Sequence, residues 1–333
     1  MAKLDPFLYF SRSRIRSVLS EHQAAVRKRW SQNFLIEPGI LSRLADLLTP
    51  AANQPVLEIG PGLGALSWQL LHRDAALYMI EIDPALCCIL GQTFAGVDNC
   101  FISNQDALLA LRELRLNAAI AGFRHASAYQ KQAVQPGAEF TNGPTDQTNT
   151  APDTYRSLAG SDVRIVCGNL PYHISSPLLL AIVAIQTLQQ GVFVLQKEYV
   201  DRITNKAANN SLAVYLANFG HWTAGAPLGA ANFYPAPSVA SAALRFAAHP
   251  GGPLCLPVSL EHLLRMSFHT RRKTVLNSWK LAQFKAWSVD QLVDLASICA
   301  IDCSARAESI AKESWYELCK RLPVPQNMRN ESV

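Results

Sequence analysis

The 333-residue sequence has no apolar run reaching the roughly 18 residues that a membrane-spanning helix needs, so an integral helical membrane protein is not expected. It also has no C-x-x-C pair. The eight cysteines, Cys87, Cys88, Cys100, Cys167, Cys255, Cys299, Cys303 and Cys319, stand mostly in apolar surroundings. That pattern argues against a zinc site or disulfide framework and for buried, reduced thiols in a cytosolic protein; no metal is expected. Charge is sparse, 17% of residues, and the net formal charge is only +5. The chain is long enough for one large domain and a smaller one.

Where the charge lies matters more than its sum. Residues 1–30 contain Lys3, Arg12, Arg14, Arg16, Arg27, Lys28 and Arg29 against Asp5 and Glu21, a local balance of +5. Residues 265–285 contain Arg265, Arg271, Arg272, Lys273, Lys280 and Lys285 and no acid. Two basic clusters flanking a near-neutral middle suggest contacts with phosphates, although solvated helix faces also look like this. The arginine- and serine-rich N-terminal segment also fits an organelle transit peptide, which leaves a mitochondrial location as the alternative. Its two acids, and the lack of an uncharged amphipathic run, favour a cytoplasmic, bacterial-type enzyme.

The most informative residues are Asn169-Leu170-Pro171-Tyr172. The lone pair of an exocyclic adenine amine is delocalised into the ring, so that nitrogen is a poor nucleophile. Acceptors for its hydrogens can draw it toward tetrahedral geometry and restore reactivity. The side-chain amide oxygen of Asn169 and the carbonyl of Leu170, held stiff before Pro171, are suitable acceptors. The Tyr172 ring can stack a base drawn out of its helix. Alone, the tetrapeptide is equally a turn with a buried tyrosine, so context decides. Val163-Arg164-Ile165-Val166-Cys167 reads as a strand that Gly168 ends, and Ser175-Ser176-Pro177 as the start of a helix running apolar from Leu178 to Leu188. The motif thus falls at the carboxyl end of a strand, where open α/β sheets place ligands.

A second constellation lies upstream. Val56-Leu57-Glu58-Ile59 reads as a strand, Gly60-Pro61-Gly62-Leu63-Gly64 as a turn that approaches a ligand closely, and Ala65 to His72 as a helix. With Ala65 the turn also fits the G-x-G-x-x-A dinucleotide pattern, so a nicotinamide or flavin enzyme competes. The strand Ala76 to Ile80 ends in Glu81-Ile82-Asp83, where a carboxylate can take both ribose hydroxyls of an adenosine-containing cofactor. A third strand ending, Cys100-Phe101-Ile102, leads to Asn104-Gln105-Asp106, and Asp106 can accept from an adenine amine.

With these segments in order, the chain resembles the ribosomal RNA adenine N6-dimethyltransferase family, in particular its bacterial small-subunit type. Further matching segments are Ser31-Gln32-Asn33-Phe34-Leu35, Leu195-Gln196-Lys197-Glu198, Phe233-Tyr234-Pro235-Ala236-Pro237-Ser238-Val239, Phe268-His269-Thr270-Arg271-Arg272-Lys273-Thr274 and Arg306-Ala307-Glu308-Ser309-Ile310. They span roughly residues 27–322. The resemblance implies S-adenosylmethionine as methyl donor on a Rossmann-like, class I methyltransferase sheet. It implies donor contacts from Asn33, Leu35, Gly60, Glu81 (ribose), Asp106 (adenine amine) and Asn169, the last lying between donor and target. Phe233 would form a second wall for the flipped adenine, opposite Tyr172. Arg271, Arg272 and Lys273 would bind RNA. The implied product is two adjacent dimethylated adenosines in a hairpin loop near the 3′ end of small-subunit rRNA, made by a monomer on the immature subunit during ribosome biogenesis. Two other readings stand beside it: an antibiotic-resistance-type large-subunit rRNA methyltransferase, and a non-catalytic RNA-binding assembly or transcription factor on the same fold.

The chain departs from that family at His173, where asparagine is usual, and at Ala208-Asn209-Asn210-Ser211-Leu212. The larger departure is the 63-residue separation of Asp106 and Asn169, where a helix and a strand need about 20–25. Residues 125–160 hold the excess and read as a flexible, polar surface insertion with too little arginine and lysine for an RNA-binding arm. The expected division is a basic extension (1–30), the methyltransferase domain (31–246), a linker at Ala247 to Pro253, a helical RNA-binding domain (254–322) and a tail (323–333). Helices are expected at Leu260 to Phe268, Val275 to Phe284, Asp290 to Ala296 and Lys312 to Leu322, and a strand over Ala240 to Phe246.

Overall fold

The structure, a computed structural model, describes residues 11–22, 24, 32–48, 50–121, 163–205, 209–283 and 286–324, with the backbone alone over 115–121. The insertion at 125–160, Arg27 to Arg29, Ser31, Ala208, Phe284, Lys285 and nearly all of the tail lie outside these residues. The chain forms two compact units: residues 1–197 with 225–245, and residues 198–224 with 246–333.

The first unit carries helix α1 (Arg12–Glu21), strand β1 (Phe34–Leu35), α2 (Pro38–Asp46), β2 (Pro55–Ile59), α3 (Ala65–Leu71), β3 (Ala76–Glu81), α4 (Pro84–Thr93), β4 (Cys100–Asn104), α5 (Ala107–Ala121), β5 (Ile165–Asn169), α6 (Ser175–Val183) and β6 (Gln190–Gln196). Helices α7 (Lys197–Thr204) and α8 (Ser211–Ala217) follow, then β7 (Gly220–Leu228), β8 (Phe233–Tyr234) and β9 (Ser241–Ala248). The main sheet has seven strands in the order β4-β3-β2-β5-β6-β9-β7. The neighbours β4-β3, β3-β2, β2-β5 and β5-β6 run parallel. The strands are apolar on both faces: Val56, Leu57, Leu77, Ile165, Val166, Cys167 and Phe193 are fully buried, as expected of a parallel sheet with both faces covered. From β2 the chain builds outward to β4 and then returns to β5 on the other side of β2. This reversal opens a crevice beyond the carboxyl ends of the two central strands.

Two local expectations are corrected. Strand β5 does not end at Gly168 but continues through Asn169, with Gly168 opposite Phe193 and Asn169 opposite Val194. It can continue because a Cβ at Gly168 would run into the Ile59 carbonyl oxygen, so glycine alone lets β5 lie this close to β2. Helix α6 stops at Val183 rather than Leu188; beyond it, Ile185 and Leu188 close single turns onto Ile182 and Ile185. Its N-cap is Ile174, after a 3₁₀ turn at Tyr172–Ile174.

The second unit is helical: α7 from Glu198 onward, α8, α9 (Pro257–Phe268), α10 (Val275–Leu281), α11 (Val289–Ile298) and α12 (Lys312–Arg321). Trp279 and Trp315 fill its core with Leu260, Leu263, Leu292 and Leu318, all fully buried. Thr274 caps α10, and Ser288 with Gln291 forms a capping box on α11. Residues 198–224 group here because Val214 joins this core and the Tyr316 hydroxyl donates to its carbonyl at 2.8 Å. The chain-order division instead runs the first domain unbroken to 246.

Candidate active site

Beyond β2 the chain turns through Gly60, Gly62 and Gly64, whose φ values are +66°, +61° and +84°. A Cβ on Gly62 would lie 2.8 Å from the Phe34 ring and one on Gly64 2.7 Å from the Phe94 ring, so both backbone angle and space require glycine. The loop is tied to the next strand end. The Gly62 N–H donates to Glu81 Oε2 at 3.2 Å and the Asp83 N–H to Oε1 at 3.0 Å. Glu81 is 5% exposed; burial pushes its carboxyl up to about 7, against the pull of these backbone donors. Glu58, in β2, is also buried, accepts from Ser67 Oγ at 2.6 Å and is raised to about 7 by burial, less the effect of that bond.

After β4, Asp106 caps α5: its Oδ1 accepts from the Leu108 N–H at 2.7 Å. Gln105 N–H donates to the Glu81 carbonyl at 2.9 Å, so the ends of β3 and β4 are held together. At the end of β5, Asn169 Nδ2 donates to the Asn33 carbonyl at 2.6 Å. Leu170 is buried and its N–H donates to the Val194 carbonyl at 3.1 Å. Tyr172 is half-buried, with its hydroxyl 2.6 Å from Ser241 Oγ, and burial raises its phenol above the usual range. Ser175 Oγ reaches both the Pro171 and Tyr172 carbonyls at 3.1 Å and fixes the loop from behind.

One cavity gathers Asn33, Leu35, Gly60, Glu81, Asp106 and Asn169, together with Pro171. Leu170, Tyr172 and Phe233 do not line it. Phe233 has no exposed surface: it pairs with Leu35 across β1 and β8 and packs among Leu41, Leu44 and Val194. Its ring therefore has no face open to a base in this conformation. Arg271, Arg272 and Lys273 are exposed on the turn between α9 and α10 in the second unit. Among the other residues that line the cavity, Glu58, Ile82 and Gln105 are polar or exposed groups to which the sequence assigned no role. Ile82, 41% exposed between two buried acids, could have been found as an aliphatic side chain left uncovered at a strand end. Glu58 could have been found as a carboxylate inside an otherwise apolar strand.

The family model described as ribosomal RNA adenine dimethylase matches residues 23–323. A relative from Myxococcus xanthus, named ribosomal RNA small subunit methyltransferase A, is 28% identical over 313 residues, covering 92% of this chain and 94% of that protein. The same-named protein of Methylococcus capsulatus is 31% identical over 302 residues, covering 89% and 97%. Among solved structures, a dimethyladenosine transferase from Plasmodium falciparum superposes with a TM-score of 0.60 at 19% identity, covering 85% of this chain and 94% of that one. The 23S rRNA methyltransferase ErmE gives 0.58 at 20% identity, covering 87% and 99%. These likenesses show the class I methyltransferase fold. With its sequence matched over nearly its whole length, the chain belongs to the ribosomal RNA adenine dimethylase family.

Proposed function

We propose that the protein transfers methyl groups from S-adenosylmethionine to N6 of two adjacent adenosines in a hairpin loop near the 3′ end of small-subunit rRNA, dimethylating both. The observation that carries this reading is the Asn169 amide, turned by its bond to Asn33 so that its oxygen remains for a substrate amine. The relatives' names supply the substrate class.

The cavity fits the donor. Glycines with left-handed backbone leave room beside β2, Glu81 stands where ribose hydroxyls would donate, Ile82 offers an aliphatic face to an adenine ring, and Asp106 Oδ2 accepts its amine. When bound, S-adenosylmethionine supplies an electrophilic methyl group on its sulfonium. Asn169 Oδ1 and the Leu170 carbonyl accept the N6 hydrogens and turn the nitrogen lone pair toward that methyl. The N6 proton becomes acidic only after transfer, when the nitrogen is cationic, so no strong base is needed and His173 has no required catalytic role. A singly methylated amine keeps one N–H for the same acceptors, so a second transfer needs no new site. Tyr172, held by Ser241, supports the flipped base. Phe233 can face that base only if β8 parts from β1.

The substrate is the immature small subunit, the enzyme acts as a monomer, and its place is the cytoplasm. Among the described residues no helix is long and apolar enough to cross a membrane. The large-subunit reading is the runner-up, and the likeness to ErmE is one of fold. Incubating the protein and S-adenosylmethionine with unmethylated small and large subunits, followed by mass mapping of both RNAs, tests the assignment. Two adjacent dimethyladenosines in the small-subunit RNA are expected. Modification of large-subunit RNA instead, or of neither, overturns it.

A further inference from the structure

Helix α1 lies ahead of the family's matched span, which begins at residue 23, yet it is built into the first unit. Ile15, Val18 and Leu19 form an apolar ridge buried against Phe34, Leu63 and Ile89. The ridge anchors the helix, and Arg12, Arg14 and Arg16 stand exposed on it. Arg12 Nη2 donates to the Ala231 carbonyl at 3.0 Å, and the Arg16 guanidinium lies 5.7 Å from the centre of the Tyr234 ring. Both contacts fall on the segment that carries Phe233 and leads, through exposed Ala236 and Ser238, to Ser241, the partner of Tyr172. Among the described residues only one of the three arginines has a carboxylate in range, Arg14 with Glu21 at 3.7 Å, and both partners are about half exposed. A pair this open contributes little, so the positive charge is not used up within the fold.

We propose that α1 is a phosphate-binding surface for the substrate RNA, holding its backbone on the target-base side of the active site. It acts in addition to the basic turn of the second unit, and the inference rests on the RNA reading above. The chemistry is that of guanidinium with phosphate: planar, permanently charged forks offering paired donors. The apolar ridge makes it a fixed platform and not a loose tail. Arg12 and Arg16 stand four residues apart on one helix face, which presents both toward the same strand of RNA.

The test uses the full-length protein and unmethylated small ribosomal subunits, with binding followed across a salt titration. The triple variant Arg12→Ala, Arg14→Ala, Arg16→Ala is expected to bind more weakly and to flatten the slope of log K against log salt by about two to three. The triple lysine variant is expected to keep most of the slope. S-adenosylmethionine affinity, read by calorimetry, and the melting temperature should match wild type in both, which excludes misfolding as the cause. A triple alanine variant with the wild-type slope overturns the assignment of α1. Absence of subunit binding by the wild type overturns the substrate reading, and this inference with it.

Discussion

Asn169 Nδ2 and the Asn33 main-chain oxygen, 136 positions apart in sequence, meet at 2.6 Å. A carbonyl only accepts, so the nitrogen of the Asn169 amide must face Asn33 and its oxygen is left to accept elsewhere. The segment before β1 thus sets the direction of the side chain on which the proposed chemistry rests.

Asn169→Asp is isosteric but has no donor for Asn33, and it sets two acceptors against each other. Single-turnover methylation should slow by on the order of 10²-fold, the scale found when one preorganised hydrogen-bonding group is removed from an active site. RNA affinity should fall far less. A variant turning over at close to the wild-type rate would show that amide orientation plays no part.

Glu81 is raised to about 7 by burial, and ribose hydroxyls donate best to its ionised form. Donor affinity should therefore strengthen as pH rises through about 7, and donor binding should release protons near that pH. Calorimetry in buffers of different ionisation enthalpy measures that release. Glu81→Ala should weaken binding by roughly 1.5–3 kcal/mol and abolish the proton release. Unchanged release in the variant would assign the proton to another group.

Glu58 is also raised to about 7, from 4.5, so the folded state holds its proton more tightly than the unfolded chain does. Its contribution to stability is then fully present below about 4.5 and is lost as pH rises through about 7. Glu58→Gln keeps an acceptor for Ser67 and carries no charge. The variant should melt higher than wild type at pH above 7 and show a flatter dependence of melting temperature on pH. Parallel pH curves for the two proteins would refute this.

Replacing Arg271, Arg272 and Lys273 with alanine should reduce RNA affinity and flatten its salt slope by about two to three, while sparing donor binding. All three are exposed, so the fold should be unaffected. Filter binding across a salt series reads the slope. Wild-type RNA binding would remove the second unit from RNA recognition.

The groups that meet in the cavity were legible in the sequence as candidates because each is local. The Gly60–Gly64 turn, Glu81, Asp106 and Asn169 each sit within a few residues of a β-rich run, and a strand end is recognisable without knowing its neighbours. What pairs with what was not legible. The extension of β5 through Gly168 depends on how closely Ile59 of β2 approaches it, and the direction of the Asn169 amide depends on Asn33. The basic segment around Arg12 to Arg16 carries no sign in its composition that Ile15, Val18 and Leu19 pack on Leu63 of the glycine turn. That the Phe233 ring is fully buried depends on β8 pairing with β1 across some 200 residues of chain. Backbone angles and strand-end chemistry follow from neighbours in sequence. Burial, side-chain direction and the grouping of residues 198–224 with the C-terminal helices follow from contacts between distant segments, which only the folded chain brings together.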